Sequence, residues 1–288
     1  MPVIIEQAGR QTGTIRSTMA YLATIASFGF ADFDPPELLA VYKDLGCVAL
    51  QYYRNEANPP DLSYVKQVAD DLGLRYDSIH GVFGKKYDPS SRDETFRKAS
   101  VEVYRAEAEL ALELGGPKIV VHPGAPTADG KAADPKELAM RLTPLLKSMT
   151  QLAQMGEELG VTFLMENIPH TFYAGSDPAA LAAMLREINS PNLKMCFDTG
   201  HAHMTCDVVE HFSLCKDMID YMHISDNNQK FDSHLLPGHG SIDWDRLGPL
   251  MTQFDGAAML ELFFPLGMMQ MELNNGLAAH LKEMLKTS

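Results

Sequence analysis

No stretch of this 288-residue chain has the length and purity of a membrane span, and no low-complexity linker or long charge run interrupts it. The first absence excludes an integral membrane helix; the second removes any reason to cut the chain into separate domains. Cysteine is scarce: Cys47, Cys196, Cys206 and Cys215 form no CxxC pair. The N-terminal MPVIIEQAGRQTGT has neither a basic leader followed by an apolar block nor a small-residue cleavage site. Secretion is therefore not expected, and a cytoplasmic location is. In that setting the thiols read as reduced and mostly buried. Cys196 lies two residues from Asp198, but nothing in the sequence supplies it with a base, so it reads as a packed strand residue and not a nucleophile. Basic residues are in deficit, 24 against 38 acidic, for a net charge of −14. An acidic surface repels phosphate backbones, so no nucleic-acid partner is expected without a local basic groove. A GxGxxG phosphate loop is also absent, which speaks against a doubly wound open sheet.

What is present is an alternation of short apolar runs with amphipathic stretches. Candidate strands are RSTMAYLAT (16–24), CVALQYY (47–53), LRYDSIH (74–80), KIVVH (118–122), TFLMEN (162–167), LKMCFD (193–198), DYMHIS (220–225) and AAMLEL (257–262). Helical patterns, with apolar residues three and four apart, fill 35–46, 62–73, 93–114, 134–159, 178–188, 208–218, 244–251 and 271–286. Gly46, Gly73, Gly115 and Gly160 each close a helical pattern just before a strand, where glycine commonly stops a helix. The alternation predicts an α/β fold, a single (β/α)8 TIM barrel over 1–288. Residues 1–14 form an N-terminal extension in this reading, and 266–288 hold a C-terminal helix.

In such a barrel the chemistry sits at the C-terminal ends of the strands. The candidate strands end in His80, His122, Glu166, Asp198, His223 and Glu261. A charged group on a buried strand is tolerated only where something pairs with it. Several of them, in phase with the topology, point to convergence on a cation. The segment DTGHAH adds His201 and His203, and FDSH adds Asp232 and His234.

The segments VHPG (121–124), MENIP (165–169), CFDTGHAH (196–203), HISDN (223–227), FDSHLLPGHGSIDW (231–244) and MLEL (259–262) resemble those of the xylose isomerase-like TIM barrels. That superfamily holds sugar isomerases, sugar epimerases and apurinic endonucleases of the endonuclease IV type, and the likeness covers roughly 16–265. In epimerase-like members one divalent cation is held by Glu, Asp, His and Glu, positions matched here by Glu166, Asp198, His223 and Glu261. In endonuclease-like members a cluster of metals uses further ligands, matched by His80, His122, His201, Asp232 and His234. The resemblance thus implies a second-metal or substrate-binding role for those five.

Three carboxylates and one imidazole are mostly hard ligands, suited to Mn²⁺ first, then Mg²⁺ or Co²⁺, with Zn²⁺ also accommodated. A cation there would polarise the carbonyl of a ketose and acidify the neighbouring C–H. Glu166 and Glu261, on opposite sides of the resulting enediolate, would remove and return a proton. The expected function is a metal-dependent isomerase or epimerase acting on a small-molecule sugar or polyol. A lyase or dehydratase shares the same site, and an abasic-site phosphodiesterase ranks below both. A non-enzymatic barrel, binding a sugar or acting as a subunit in a larger assembly, is the remaining alternative. For the four residues themselves the bland alternative is a structural ion-pair and hydrogen-bond network. A homo-oligomer is left open, since the apolar segment FFPLGMMQM fits either a dimer contact or a cap on the barrel.

Smaller signals have two readings each. Gln51 stands where many relatives have Glu at the end of the second strand; it reads as a donor to a sugar hydroxyl or as packing. Arg54 is either solvated or a contact for a substrate phosphate or carboxylate. Phe263 and Phe264 are expected in the core, with pocket walls as the alternative. His203 carries less weight, and His239 makes a GHG where many relatives have GEG.

Overall fold

The computed structural model describes residues 20–30, 35–263 and 265–286. Eight parallel strands close into one barrel in sequence order: β1 (Tyr21–Phe28), β2 (Ala49–Arg54), β3 (Arg75–His80), β4 (Lys118–Val121), β5 (Thr162–Glu166), β6 (Leu193–Asp198), β7 (Ile219–Ile224) and β8 (Ala257–Leu260). The outer ring is made by α1 (Pro35–Asp44), α2 (Leu62–Leu72), α3 (Glu94–Leu114), α4 (Pro135–Leu159), α5 (Pro178–Ile188), the short α6 (Thr199–His203), α7 (Val208–Cys215) and α8 (Trp244–Met251). Two further helices, α9 (Leu266–Asn274) and α10 (Leu277–Leu285), end the chain. The fold is a single (β/α)8 TIM barrel. Among the described residues no helix is long and apolar enough to cross a membrane.

Local chemistry sets the helix ends. Asp61, Asp93, Asp134 and Asp177 each accept backbone N–H groups at the start of α2, α3, α4 and α5. Gly115 and Gly160 close α3 and α4 with φ of 85° and 73°, a conformation that costs glycine nothing.

Two corrections concern the helices. The pattern over 271–286 is not one helix: α9 starts earlier, and Asn275-Gly276 separates it from α10, with Gly276 at φ 91°. The pattern over 208–218 stops at Cys215, and the residues after it turn into β7. For the first strand, residues 16–19 lie outside the described residues, and β1 continues to Phe28.

The period of two along each strand decides what reaches the barrel interior. Phe163, Met165, Met195, Phe197, Met222 and Ile224 pack outward against the helices. Leu164, Cys196, Tyr221, Ala257 and Met259 face inward with Ala23, Ile25, Ala49 and Val120. Glu166, Asp198, His223 and Glu261 each follow an inward residue by two positions and so fall on the same face. Strand register completes the convergence, pairing Glu166 with Cys196 and Asp198 with His223.

Candidate metal centre

Glu166, Asp198, His223 and Glu261 are all buried, and one ligand atom from each lies within 4.8 Å of the others. The His223 Nδ1 is 3.0 Å from both a Glu166 and a Glu261 carboxylate oxygen, and 3.8 Å from Asp198 Oδ2. A cation with ligand distances of about 2.1 Å spaces its donors by roughly 3 to 4 Å, so this group has the size of one coordination sphere. Asp198 Oδ2, Glu166 Oε2 and Glu261 Oε2 are buried and accept no hydrogen bond from the described residues. Burial pushes the Asp198 carboxyl up to about 7, with Glu261 and Glu166 adding to the effect. Burial also raises Glu261, but His223 and His234 outweigh it and hold that carboxyl at about 2. Three desolvated acids in one group call for positive charge; the neighbouring histidines supply part of it, and a divalent ion would supply the rest. The donor set fits such an ion.

The other sequence-derived candidates assemble into two adjoining groups. His80, His122 and Glu166 form one, with His122 Nε2 3.1 Å and His80 Nε2 3.6 Å from Glu166 Oε2. Burial keeps the His122 imidazole below its ordinary range, hence neutral and able to coordinate. His201, Asp232 and His234 form the other, with Asp232 Oδ2 3.1 Å from His201 Nε2 and 3.2 Å from His234 Nε2. Glu166 is shared between the first two groups. The nine residues matched to ligand positions thus gather in these three groups.

Burial lowers the His234 pKa, but the hydrogen bond to Asp232 and the Glu261 charge raise it more, to about 9. A cation entering that group below pH 9 would have to displace the His234 proton. The His201 ring, whose pKa burial lowers but Asp198 and Asp232 raise more, holds a second one, so affinity would rise with pH through 9. Titration of Mn²⁺ in two buffers of different ionisation enthalpy is expected to report more protons released at pH 7 than at pH 9.5. Equal release at both would contradict the assignment.

Asn167, to which the sequence reading gave no role, frames the centre. Its side chain accepts from Asp198 N and donates to Asp198 O, both at 2.9 Å, and its carbonyl meets His201 Nδ1 at 2.9 Å. Asp198 Oδ1 caps the short helix α6 by accepting from His201 N. Asp226 organises the loop that carries Asp232 and His234. Its carboxylate accepts from the backbone N–H of Asn227, Gly238 and Ile242 and from Trp244 Nε1, at 2.8 to 3.2 Å. Replacing Asp226 by Ala leaves those buried donors unmatched, and a loss of about 3 kcal/mol or more is expected. Urea melts of the wild type and Asp226→Ala would show it, and a change under 1 kcal/mol would refute it.

Gln51 is buried inside the barrel, where its Nε2 donates to Ser78 Oγ at 3.3 Å, beside the Tyr221 and Asp77 side chains. Arg54 is held by Glu107 through two hydrogen bonds of 2.6 and 3.1 Å. Phe263 is not core: it is 60% exposed, and its ring lies 4.3 Å from that of His234. Phe264 lies outside the described residues. His203 is tied to Ser241 at 2.8 Å, a structural contact. Cys196 is buried, and burial pushes its thiol up to about 12, as suits a packed strand residue.

The family model of the xylose isomerase-like TIM barrel matches residues 26–286. The chain belongs to that family. Among family relatives, it is 31% identical over 176 residues to the uncharacterised protein MJ1614 of Methanocaldococcus jannaschii, covering 60% of this chain and 65% of that protein. It is 27% identical over 192 residues to a probable endonuclease 4 of Shouchella clausii, covering 59% of this chain and 60% of that one. The chain thus spans about two thirds or less of these relatives' length. In fold, it matches an L-ribulose 3-epimerase with a TM-score of 0.73 at 19% identity, over 93% of this chain and 95% of that one. It also matches the 3-keto-D-glucoside 4-epimerase of E. coli with a TM-score of 0.69 at 16% identity, over 90% and 99%. At such identities the structural likeness establishes the family fold alone.

Proposed function

We propose that this chain is a divalent-metal-dependent isomerase or epimerase of a sugar or polyol. The observation that carries the reading is that Glu166, at the end of β5, and Glu261, just after β8, each place an oxygen 3.0 Å from His223 Nδ1. Glu166, Asp198, His223 and Glu261 would hold the ion, with Mn²⁺ assigned first and Mg²⁺, Co²⁺ and Zn²⁺ sharing the same donor preference. The bound cation would supply Lewis-acid polarisation of the substrate carbonyl. The His/Asp/Glu grouping and the epimerases among the fold's neighbours support this reading.

The protein's own groups would do the rest. One glutamate takes the proton from the carbon next to the carbonyl, and the other delivers a solvent-derived proton. Delivery to the opposite face of the same carbon inverts it; delivery to the neighbouring carbon isomerises the sugar. Loss of a β-hydroxyl at the same stage would make the enzyme a lyase or dehydratase, which product analysis separates.

The test is a panel of ketoses and keto-inositols in deuterated water with Mn²⁺. Deuterium is expected at the carbon beside the carbonyl of at least one member. No incorporation into any of them, with the cation measured as bound, overturns the reading.

One observation favours a second reading, abasic-site phosphodiesterase activity. His80, His122, His201, Asp232 and His234 gather beside the first group, as the resemblance to endonuclease IV implies. Against it stand the net charge of −14 and the engagement of Arg54 by Glu107, which leave little to grip a polyanion. Incision of an abasic oligonucleotide at moderate salt would reverse the order.

A further inference from the structure

The loops after β1, β2 and β3 enclose a cavity of about 270 Å³ whose lining includes Phe30, Tyr53, Asn55, His80, Phe83 and Lys86. His80 belongs both to this lining and to the His80–His122–Glu166 group, so the cavity adjoins the centre described above. One wall is a run of nearly parallel rings. Phe30 stacks on Tyr53 at 5.3 Å and 19°, Tyr53 on Phe83 at 6.2 Å and 22°, and Phe83 continues onto the His122 ring at 4.5 Å. Phe83 is 37% exposed, so part of this wall meets solvent. An apolar wall beside a strongly polar centre suits a ligand with one polar end and one end that presents a flat apolar face.

The charges around the cavity determine what that second end carries. Arg54, the most deeply placed cation of the lining, is neutralised by Glu107 through its paired hydrogen bonds. Glu56 accepts the Tyr87 hydroxyl at 2.8 Å and places a carboxylate on the rim, opposed by the exposed Lys86. The near-balance offers no surplus of positive charge for a phosphate or carboxylate.

We propose that this cavity is a subsite for an uncharged second ring, so that the substrate is an extended neutral keto-sugar: a glycoside that carries its reacting ketone on a ring carbon other than the anomeric one, with its aryl or glycosyl substituent on the Phe30–Tyr53–Phe83 wall and its reacting sugar facing Glu166 and Glu261. This rests on the proposed sugar chemistry and names its substrate class.

Isothermal titration of the metal-loaded protein tests it with probes that have no free ketone, so binding is read without turnover. The probes are methyl and phenyl β-D-glucopyranosides, the matching galactosides, cellobiose, lactose and glucose 1-phosphate. At least one phenyl glycoside or disaccharide is expected to bind tenfold or more tightly than its methyl counterpart. A gain with phenyl alone assigns an aryl substituent, and a gain with the disaccharide assigns a glycosyl one. Glucose 1-phosphate is expected to bind no more tightly than the methyl glucoside. Tyr53→Ala and Phe30→Ala should each cut the gain severalfold while keeping the methyl glycoside affinity, which also shows that they fold. Equal affinities across each series, absence of binding throughout, a gain that survives both substitutions, or tighter binding of the phosphate overturns the proposal. The deuterium-exchange panel is independent of these titrations. Exchange into a free ketose with no second-ring gain sinks the subsite alone, whereas a second-ring gain with no exchange sinks the proposed reaction and leaves the subsite standing.

Discussion

Glu261→Gln is expected to slow solvent-deuterium entry into the best ketose by about 10²–10⁴-fold while the protein stays folded. Glutamine keeps the shape of the side chain and one acceptor oxygen, but it has no carboxylate to carry a proton. Glu261 follows β8 and its oxygen lies 3.0 Å from His223 Nδ1, so the substitution removes one of the two proposed proton carriers. Glu166→Gln should be at least as damaging for a second reason. Its carboxylate is approached by His223 at 3.0 Å, His122 at 3.1 Å and His80 at 3.6 Å, and it belongs to two of the ligand groups. Metal content, measured by plasma emission on the purified variants, should therefore fall in Glu166→Gln more than in Glu261→Gln. Excess Mn²⁺ should restore binding without restoring the rate. Exchange within tenfold of wild type in both variants would remove the two glutamates from the chemistry.

Stripping the metal is the second large effect. Without a cation the centre holds three buried carboxyl groups whose free oxygens accept no hydrogen bond from the described residues, a costly arrangement. A cation binding the folded chain and not the unfolded one, present at a thousand times its dissociation constant, adds about 4 kcal/mol. For a chain of this size that corresponds to a rise of about 6–7 °C in melting temperature. Calorimetric scans after chelation, and again with 1 mM Mn²⁺ at roughly a thousandfold excess over a micromolar constant, should differ by that amount. Asp198→Ala should flatten the difference, because it removes a ligand together with the cap of α6. Coincident melts with chelator and with Mn²⁺ would mean that the group is an ion-pair network and not a metal centre.

The inward face of the barrel was legible because it obeys a simple alternation. In LKMCFD the outward Met195 and Phe197 flank the inward Cys196, and Asp198 follows in phase; the strand has the bounds read from the sequence. The same count delivers Glu166 and His223. What lay beyond reach was set by partners distant in the chain. The tie between Arg54 and Glu107 spans 53 residues, and no local pattern announces it. Phe263 reads as core by composition, yet β8 ends at Leu260, which leaves that ring on the rim. The short α6 has too few residues for a periodic pattern; it forms because Asp198 is positioned to cap it. The break at Asn275-Gly276 did carry a signal, since Asn-Gly is a strong turn pair, but the apolar residues on either side masked it. Asn167 too was visible inside MEN, although only its bracketing of Asp198 gives it a purpose.

Asp198 divides its two oxygens between different duties, one closing the turn at His201 and the other facing the cluster, while Asn167 clasps its main chain on both sides. To swing away, this residue would have to unwind a helix and break the clasp together. The cluster is thus a fixed mould, cast when the cylinder closes, and any ion it holds would meet walls already set. Divergence in what such a protein accepts must then come from the loops around the mould, where rings and charges can be exchanged without disturbing the casting.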